Sequence, residues 1–157
     1  MSTISPYIKE FEEAVLSVIP TMTMTEIQSC DQPYLKNGHN TYGTVTGVIG
    51  LAGPGVNANM MLSFESSTVL DLLANMLGER FEELNDEVLD AVGEFTNIVC
   101  GDVKRRLALK NIKIDMSTPL VISGADVRVR DRVTRAMTVL TFKAPTGKFT
   151  LETNLAG

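Results

Sequence analysis

The stretch Asp90-Ala91-Val92-Gly93-Glu94-Phe95-Thr96-Asn97 carries two different faces of one predicted helix, which we expect to run from about Asn85 to about Leu109. At about 100° per residue, its apolar residues fall in one arc of the helical wheel. That arc is formed by Val88, Val92, Phe95 and Val99. The opposite arc carries a row of polar side chains and then a residue without a side chain: Asp90, Glu94, Asn97 and Gly101. The sequence therefore predicts a helix with one face in a core and a row of carboxylate, carboxylate and carboxamide groups on the other.

The polar face has features that an ordinary solvated surface does not need. Any helix with one apolar face exposes polar groups on the other, so Asp90 and Glu94 alone would be ordinary surface residues. Asn97, however, is a weak helix former, and Gly93 and Gly101 each cost roughly 1 kcal/mol relative to Ala in mid-helix. Missing side chains let another surface approach closely, although Gly93 could instead serve packing within the domain.

Composition and charge limit the possible function classes. The chain has 157 residues, 44% hydrophobic and 21% charged, so we expect one globular domain over residues 1–157. A net charge of -5 argues against a nucleic-acid surface, which needs clustered Lys and Arg. The basic cluster Lys104-Arg105-Arg106 falls near the C-terminal end of the long helix, where cations complement the helix dipole. We interpret that cluster as structural.

The sequence favours a cytoplasmic protein. No apolar run is long enough to cross a bilayer, and residues 1–6 lack the basic start and apolar run of a signal peptide. Cys30 and Cys100 are far apart and have no metal-ligand neighbours. We therefore expect two reduced thiols, with Cys100 as a small core residue.

Helical and strand-like patterns alternate along the rest of the chain. We expect helices over Tyr7–Ile19, ended by Pro20, and over Thr68–Leu77, capped by Ser66 or Ser67. The predicted strands are Met24–Cys30, Thr41–Leu51, Val56–Phe64, Ile112–Met116, Pro119–Ile122, Val127–Val133, Met137–Phe142 and Lys148–Glu152. Because most connections between strands are short, we predict an α/β (α+β layered) domain with a mainly antiparallel sheet packed against long helices.

A helix followed by strands occurs twice, which indicates a pseudo-repeat. Placing Tyr7–Met22 over Asp90–Arg105 puts Glu12 or Glu13 near the place of Glu94. Three residues later this first copy has Val15 or Leu16 instead of Asn. The carboxamide would therefore belong to the second copy alone.

Several chemistries are disfavoured by the residues available. Two carboxylates and an amide are few ligands for a metal, and the single histidine, His39, lies in a predicted turn, which also argues against a Ser-His-Asp triad. Paired-carboxylate glycosidase chemistry needs a sugar cleft with aromatic walls, and the chain has no Trp. The Gly-rich segment 43–55 lacks nucleotide-binding spacing and reads as a hairpin.

A carboxamide on an exposed helix suits the positioning of a water molecule for attack on a phosphoryl group held by another protein. The amide is neutral, so it does not repel phosphate. It can accept a hydrogen bond from the water while donating one to a phosphoryl oxygen. A neighbouring Glu could then pair with a cation on the partner.

At these residues the sequence resembles the CheC/CheX/FliY family of chemotaxis response-regulator phosphatases, and most closely its CheX members. The family pattern is Asp/Ser-x-x-x-Glu-x-x-Asn followed further along by Pro, which here reads Asp90, Glu94, Asn97 and Pro119. The segments Gly53-Pro54-Gly55, Met60–Phe64 and Ala74–Glu79 are also similar to CheX, so the resemblance covers most of the chain.

The resemblance implies a hydrolase that acts on the aspartyl phosphate of a CheY-like receiver. Asn97 would orient the hydrolytic water, and Glu94 would pair with a basic residue of the receiver. Asp90 would support the helix face or the contact, and Pro119 would shape the nearby strand start. The chain would need no cofactor of its own, since the receiver would hold Mg²⁺.

The resemblance also implies a homodimer formed by edge strands, for which the C-terminal strands could leave an open edge. Two other functions stay open. The chain could be a non-catalytic adaptor of the same fold that binds a receiver or a flagellar-switch component, or a small-molecule sensor.

Overall fold

The computed structural model describes residues 3–38, 40–129 and 135–156. Within them lie three helices, α1 (Ile8–Thr23), α2 (Ser66–Leu77) and α3 (Asp86–Ala108). The strands, in chain order, are β1 (Gln28–Lys36), β2 (Val45–Gly53), β3 (Val56–Phe64), β4 (Asp115–Met116), β5 (Leu120–Ser123), β6 (Met137–Lys143) and β7 (Lys148–Thr153). These elements confirm the predicted α+β class.

The strands form one antiparallel sheet in the order β1-β6-β7-β3-β2, with β4 and β5 pairing one after the other on the free side of β2. Each half of the chain supplies a long helix followed by strands. The first strand after each long helix pairs into the other half: β1 pairs with β6, while β4 and β5 pair with β2. This exchange agrees with the predicted pseudo-repeat.

The helices and one face of the sheet enclose the core. The predicted apolar arc of α3 is fully buried there, with Val88, Val92, Phe95 and Val99 all at 0% exposure. On the sheet, Phe149 stacks between Phe64 and Phe142, with ring centroids 5.0 and 5.3 Å apart. The rotation of α3 about its own axis follows from the burial of this arc.

The end of α1 differs from the prediction. Pro20 does not end the helix, which continues to Thr23. Proline removes one backbone hydrogen bond, but the hydroxyl groups of Thr21 and Thr23 donate to carbonyl oxygens one turn earlier, each at 2.7 Å. Burial of Thr23 favours the extra turn, and left-handed Met24 (φ 50°) ends it.

The cap of α2 also differs from the prediction, by one residue. Glu65 occupies the N-cap position and makes no side-chain capping hydrogen bond. The Ser66 hydroxyl lies 2.6 Å from the Thr44 hydroxyl instead, which joins the helix start to the segment before β2.

Strand β1 begins later in the chain than the predicted Met24–Cys30, because Met24 is the left-handed residue that ends α1. It contains Pro33, which an edge strand tolerates since one side of its backbone needs no partner. The Ile112–Met116 and Pro119–Ile122 predictions correspond to the short β4 and β5.

The expectation of an open edge at the C-terminal strands is wrong. β6 lies between β1 and β7, and β7 lies between β6 and β3, so both are paired on each side. Residues 130–133 of the predicted strand Val127–Val133, and His39, lie outside the described residues; Arg128 forms a single bridge to Asn40. None of the described helices is long and apolar enough to cross a membrane.

Candidate functional site

A cleft of about 610 Å³ lies between the first half of α3 and the chain segment that joins β4 to β5. Its helix wall contains Leu89, Asp90, Gly93, Glu94 and Asn97. Its opposite wall contains Val121 and residues 116–119, which include Pro119. The structure thus brings together four of the five residues that the sequence singled out; Gly101 lies outside the cleft.

The helix wall is rigidly placed. The Asn85 side chain caps α3 by accepting a hydrogen bond from the Val88 amide at 2.9 Å. Asp90 and Glu94 are exposed and Asn97 is half-buried at the cleft. The three polar groups therefore stand on a fixed helix and not on a loop.

Asp90, Glu94 and Asn97 keep their polar groups available. Among the described residues, none of these side chains has a hydrogen bond or an ion pair with another part of the chain. Asp90 and Glu94 are like charges one helical turn apart, an arrangement that costs about 0.2–0.5 kcal/mol in an isolated helix. A cation supplied from outside the chain would relieve that repulsion.

The two glycines of α3 have different surroundings. A Cβ at Gly93 would lie 3.4 Å from the Val121 Cγ2 atom of β5, at the short end of van der Waals contact. A Cβ at Gly101 would have no described atom outside its own helix backbone and chain neighbours within 4 Å. Position 93 therefore lies against β5, whereas Gly101 leaves the surface beyond Asn97 without a side chain.

The helix reaches the sheet closely at Gly47 of β2. The side chain of Thr96 fills the volume that a Cβ at Gly47 would need. Thr96 is fully buried, and its hydroxyl donates to the Val92 carbonyl at 2.8 Å. This contact sets how near Asn97, the next residue, stands to the sheet.

The opposite wall was missed by sequence reasoning apart from Pro119. Met116, Ser117, Thr118 and Val121 belong to it, together with Leu89 on the helix. Ser117 and Thr118 lie between two predicted strands, and Pro119 begins the second, so this run marks a break in pairing. That signal locates a turn, but not its position opposite α3.

The basic cluster Lys104-Arg105-Arg106 is engaged within the chain, which agrees with its structural interpretation. Asp102 accepts from Arg106 at 2.7 Å and from Arg105 at 2.9 Å, and Lys104 lies 3.7 Å from Asp115. Partial burial raises the pKa of the Asp102 carboxyl, but hydrogen bonds from the two arginines outweigh burial and hold that pKa below its ordinary value.

In α1, the glutamates that the pseudo-repeat aligns near Glu94 already have partners within the chain. Glu12 accepts a hydrogen bond from the Ser29 hydroxyl at 3.2 Å, and Glu13 pairs with Arg106 at 2.9 Å. Val15 is fully buried and Leu16 is apolar. The described part of α1 therefore presents no row of free polar groups like that of α3.

Metal-binding and thiol chemistry receive no support from the described residues. No group of three or more His, Cys, Asp or Glu there is placed to hold a metal ion. Cys30 and Cys100 are free thiols, as expected, and burial raises the pKa of Cys100 to about 12.

The part of the chain that forms this cleft matches a known protein family. The family model described as "Chemotaxis phosphatase CheX" matches residues 45–143, which include β2, α3 and both cleft walls. A curated relative from Thermotoga maritima, named CheY-P phosphatase CheX, is 31% identical over 84 residues. That alignment covers 53% of this chain, and the chain spans about half of the relative's length, 54%.

Two solved structures extend the comparison. The chemotaxis protein CheX from Vibrio vulnificus superimposes with a TM-score of 0.87 at 32% identity, covering 96% of this chain and 99% of that one. A CheX chain in the CheX–CheY–BeF3–Mg²⁺ complex from Borrelia burgdorferi has a TM-score of 0.78 at 23% identity, covering 96% and 98%. The second similarity is one of fold.

Proposed function

This chain belongs to the chemotaxis phosphatase CheX family, and we propose that it removes the phosphoryl group from the phospho-aspartate of a CheY-like receiver domain. The observation that carries the proposal is the free Glu94 and Asn97 pair, displayed on one face of α3 at the edge of the cleft. The name of the Thermotoga relative, a CheY-P phosphatase, supports the same reaction.

Asn97 is the residue that we assign to catalysis. Its carboxamide has no partner among the described residues, so it is free to bind a water molecule and a phosphoryl oxygen together. The amide is uncharged and does not repel the phosphoryl group as it approaches. Since little covalent chemistry is required of the protein in phosphoryl transfer, holding the water in line is a sufficient contribution.

Glu94 and Asp90 are assigned to the partner contact. Glu94 is exposed one turn from Asn97, where an ion pair with a basic group of the receiver would orient Asn97 toward the phosphate. Asp90 lies one turn earlier on the same face and supports the contact. The receiver would supply Mg²⁺, as the composition of the Borrelia complex suggests for that pair.

Gly101 and Pro119 border the same surface and complete it. The bare surface at Gly101 allows a partner to lie close to α3 beyond Asn97. Pro119 immediately precedes β5 and lines the cleft. Its fixed φ angle and missing amide hydrogen end the β4–β5 break at a defined point.

A cytoplasmic location and a homodimer complete the proposal. A CheY-like receiver is a cytoplasmic partner, so the enzyme would work in the same compartment. A dimer formed by strand pairing would use an outer strand, and β1 is paired only on its β6 side within the described sheet.

The decisive experiment measures the decay of a purified receiver from the same cell, phosphorylated with phosphoramidate in the presence of Mg²⁺. Catalytic amounts of this protein should accelerate the decay. Asn97→Ala should lower the maximal rate by ~10²-fold or more, because a positioned catalytic amide is removed. Asn75→Ala, which changes an exposed helical Asn on α2, is the matched control and should act like the wild type.

Full acceleration by Asn97→Ala would refute the assignment of catalysis to Asn97. Tight binding of the phosphorylated receiver with no change in its decay would instead support the second candidate, a non-catalytic receiver-binding or flagellar-switch adaptor of the same fold. The free carboxamide beside Glu94 favours the enzyme, since an adaptor needs no group that binds water at a phosphate.

A further inference from the structure

The outer wall of the cleft is a bulge in the sheet. Leu51 of β2 pairs with Met116, and Val48 of β2 pairs with Leu120. Between these pairs, two residues of β2 stand opposite the three residues Ser117, Thr118 and Pro119. An extra residue of this kind bends its strand and redirects side chains, and such bulges are common next to active sites.

Ser117 joins this bulge to β2 by two hydrogen bonds. Its amide donates to the Gly50 carbonyl at 3.0 Å, and its Oγ accepts from the Gly50 amide at 2.8 Å. A side-chain oxygen thus takes a Gly50 amide that a regular ladder would pair with a backbone carbonyl. The same hydroxyl donates to the Thr118 carbonyl at 3.3 Å. Ser117 therefore connects the sheet to the next residue of the cleft wall.

We propose that Ser117 is a positioning residue for receiver docking: its hydroxyl holds the Thr118–Pro119 wall at a set distance from Glu94 and Asn97. This inference rests on the proposed function and goes beyond it, because Ser117 acts through the wall and not on the phosphoryl group. Both walls are attached to the same strand, the helix wall at Gly47 and the bulge wall at Gly50.

The chemistry at position 117 restricts which residues can do this. The role needs an oxygen one carbon from the backbone that accepts one hydrogen bond and donates another, which Ser and Thr provide. With alanine at position 117, the Gly50 amide would donate its hydrogen bond to water instead. Water can reach this amide because Ser117 is exposed. The fold would survive that change, since the Ser117 amide still donates to the Gly50 carbonyl, but the wall would lose its side-chain attachment. A less restrained wall must be ordered when the receiver binds, which weakens docking.

The test compares Ser117→Ala, Ser117→Thr and a matched control, Ser123→Ala, which alters an exposed serine at the end of β5 outside the cleft. Initial rates are measured against the concentration of the phosphoramidate-treated receiver with Mg²⁺. For Ser117→Ala we expect the half-saturating receiver concentration to rise by ~3- to 10-fold, the range expected from one lost hydrogen bond. The maximal rate should change by less than about 2-fold, since Asn97 is untouched.

Ser117→Thr and Ser123→Ala should both stay near the wild type, and rescue by Thr separates the hydroxyl from a general effect of mutating this wall. A second readout needs no catalysis: in Ser117→Ala the Gly50 amide should exchange its hydrogen faster than in Ser117→Thr. An unchanged half-saturating concentration in Ser117→Ala, or a loss confined to the maximal rate, would overturn the role of Ser117 but leave the proposed function standing. An inactive wild type that also fails to bind the receiver would overturn the proposed function as well.

Discussion

Thr96 of α3 lies directly over Gly47 of β2, and its side chain occupies the space that a Cβ at position 47 would fill. This contact brings the helix that carries Glu94 and Asn97 against the sheet. It also explains why β2 keeps a residue without a side chain at position 47. The site is therefore coupled to the packing of the domain through this contact.

Gly47→Ala should lower the free energy of unfolding by ~1–3 kcal/mol, the usual cost of inserting volume into a packed core. The added methyl group overlaps Thr96 and forces α3 outward, so receiver dephosphorylation should fall too. Urea denaturation and the decay assay measure the two effects. The double variant Gly47→Ala/Thr96→Gly removes the overlap and should recover part of both losses; an undiminished stability of the single variant would contradict the contact.

Gly101→Ala should separate stability from function. Alanine at a mid-helix position with free space should raise the free energy of unfolding by ~0.4–1 kcal/mol, mainly by restricting the unfolded chain. If the receiver lies against this surface, the same methyl group should raise the half-saturating receiver concentration.

A more stable Gly101→Ala protein with unchanged docking would show that the bare surface beyond Asn97 does not contact the receiver.

Glu94→Gln should weaken receiver docking and should make docking depend less on salt concentration. The substitution keeps the size of the side chain and removes the charge, so we expect a ~2- to 5-fold higher half-saturating concentration, in the range of an exposed ion pair. Because salt screens such pairs, the wild type should lose affinity between low and high ionic strength more steeply than the variant.

Glu82→Gln is the matched control for Glu94→Gln, since it removes an exposed carboxylate in the α2–α3 connection outside the cleft. Identical salt dependence of the wild type and Glu94→Gln would remove Glu94 from the ion pair that we assign to it.

Glu152 should make stability depend on pH in a defined direction. This β7 residue is fully buried, and its Oε1 lies 2.5 Å from the Lys36 Nζ atom. Burial raises the pKa of the Glu152 carboxyl above its ordinary value of 4.5, and the Lys36 ammonium offsets only part of that rise. Between 4.5 and the raised value, the folded state therefore holds a proton that the unfolded state has released.

Stability falls with rising pH wherever the folded state binds more protons. Relative to Glu152→Gln, the wild type should thus lose free energy of unfolding as the pH rises from about 4.5 through the raised pKa, and the difference should level off above it. Chemical denaturation at a series of pH values measures this difference. A relative gain of wild-type stability across the same window would mean that Lys36 outweighs burial and lowers the pKa.

Periodicity identified most elements and the helix wall of the site, because both depend on local patterns. The strand Val56–Phe64 and the helix from Asn85 to Leu109 lie within one residue of β3 and of α3. The end of α1 and the position of β1 were predicted wrongly. At the end of α1, burial of Thr23 outweighed the tendency of Pro20 to end a helix. In β1, the edge position of the strand outweighed the tendency of Pro33 to interrupt one. Such tertiary effects cannot be read from neighbouring residues.

By itself, the sequence determined that Asp90, Glu94 and Asn97 share one helical face, because the 3.6-residue period and a strong apolar arc leave that face outside the core. It could not determine what stands opposite. Ser117 is 20 or more residues from each of them along the chain, and only the pairing of β4 and β5 with β2 brings it across from α3. Tertiary structure also gave Gly93 and Gly101 different surroundings: a Cβ added at Gly93 would contact Val121, whereas a Cβ added at Gly101 would enter open space.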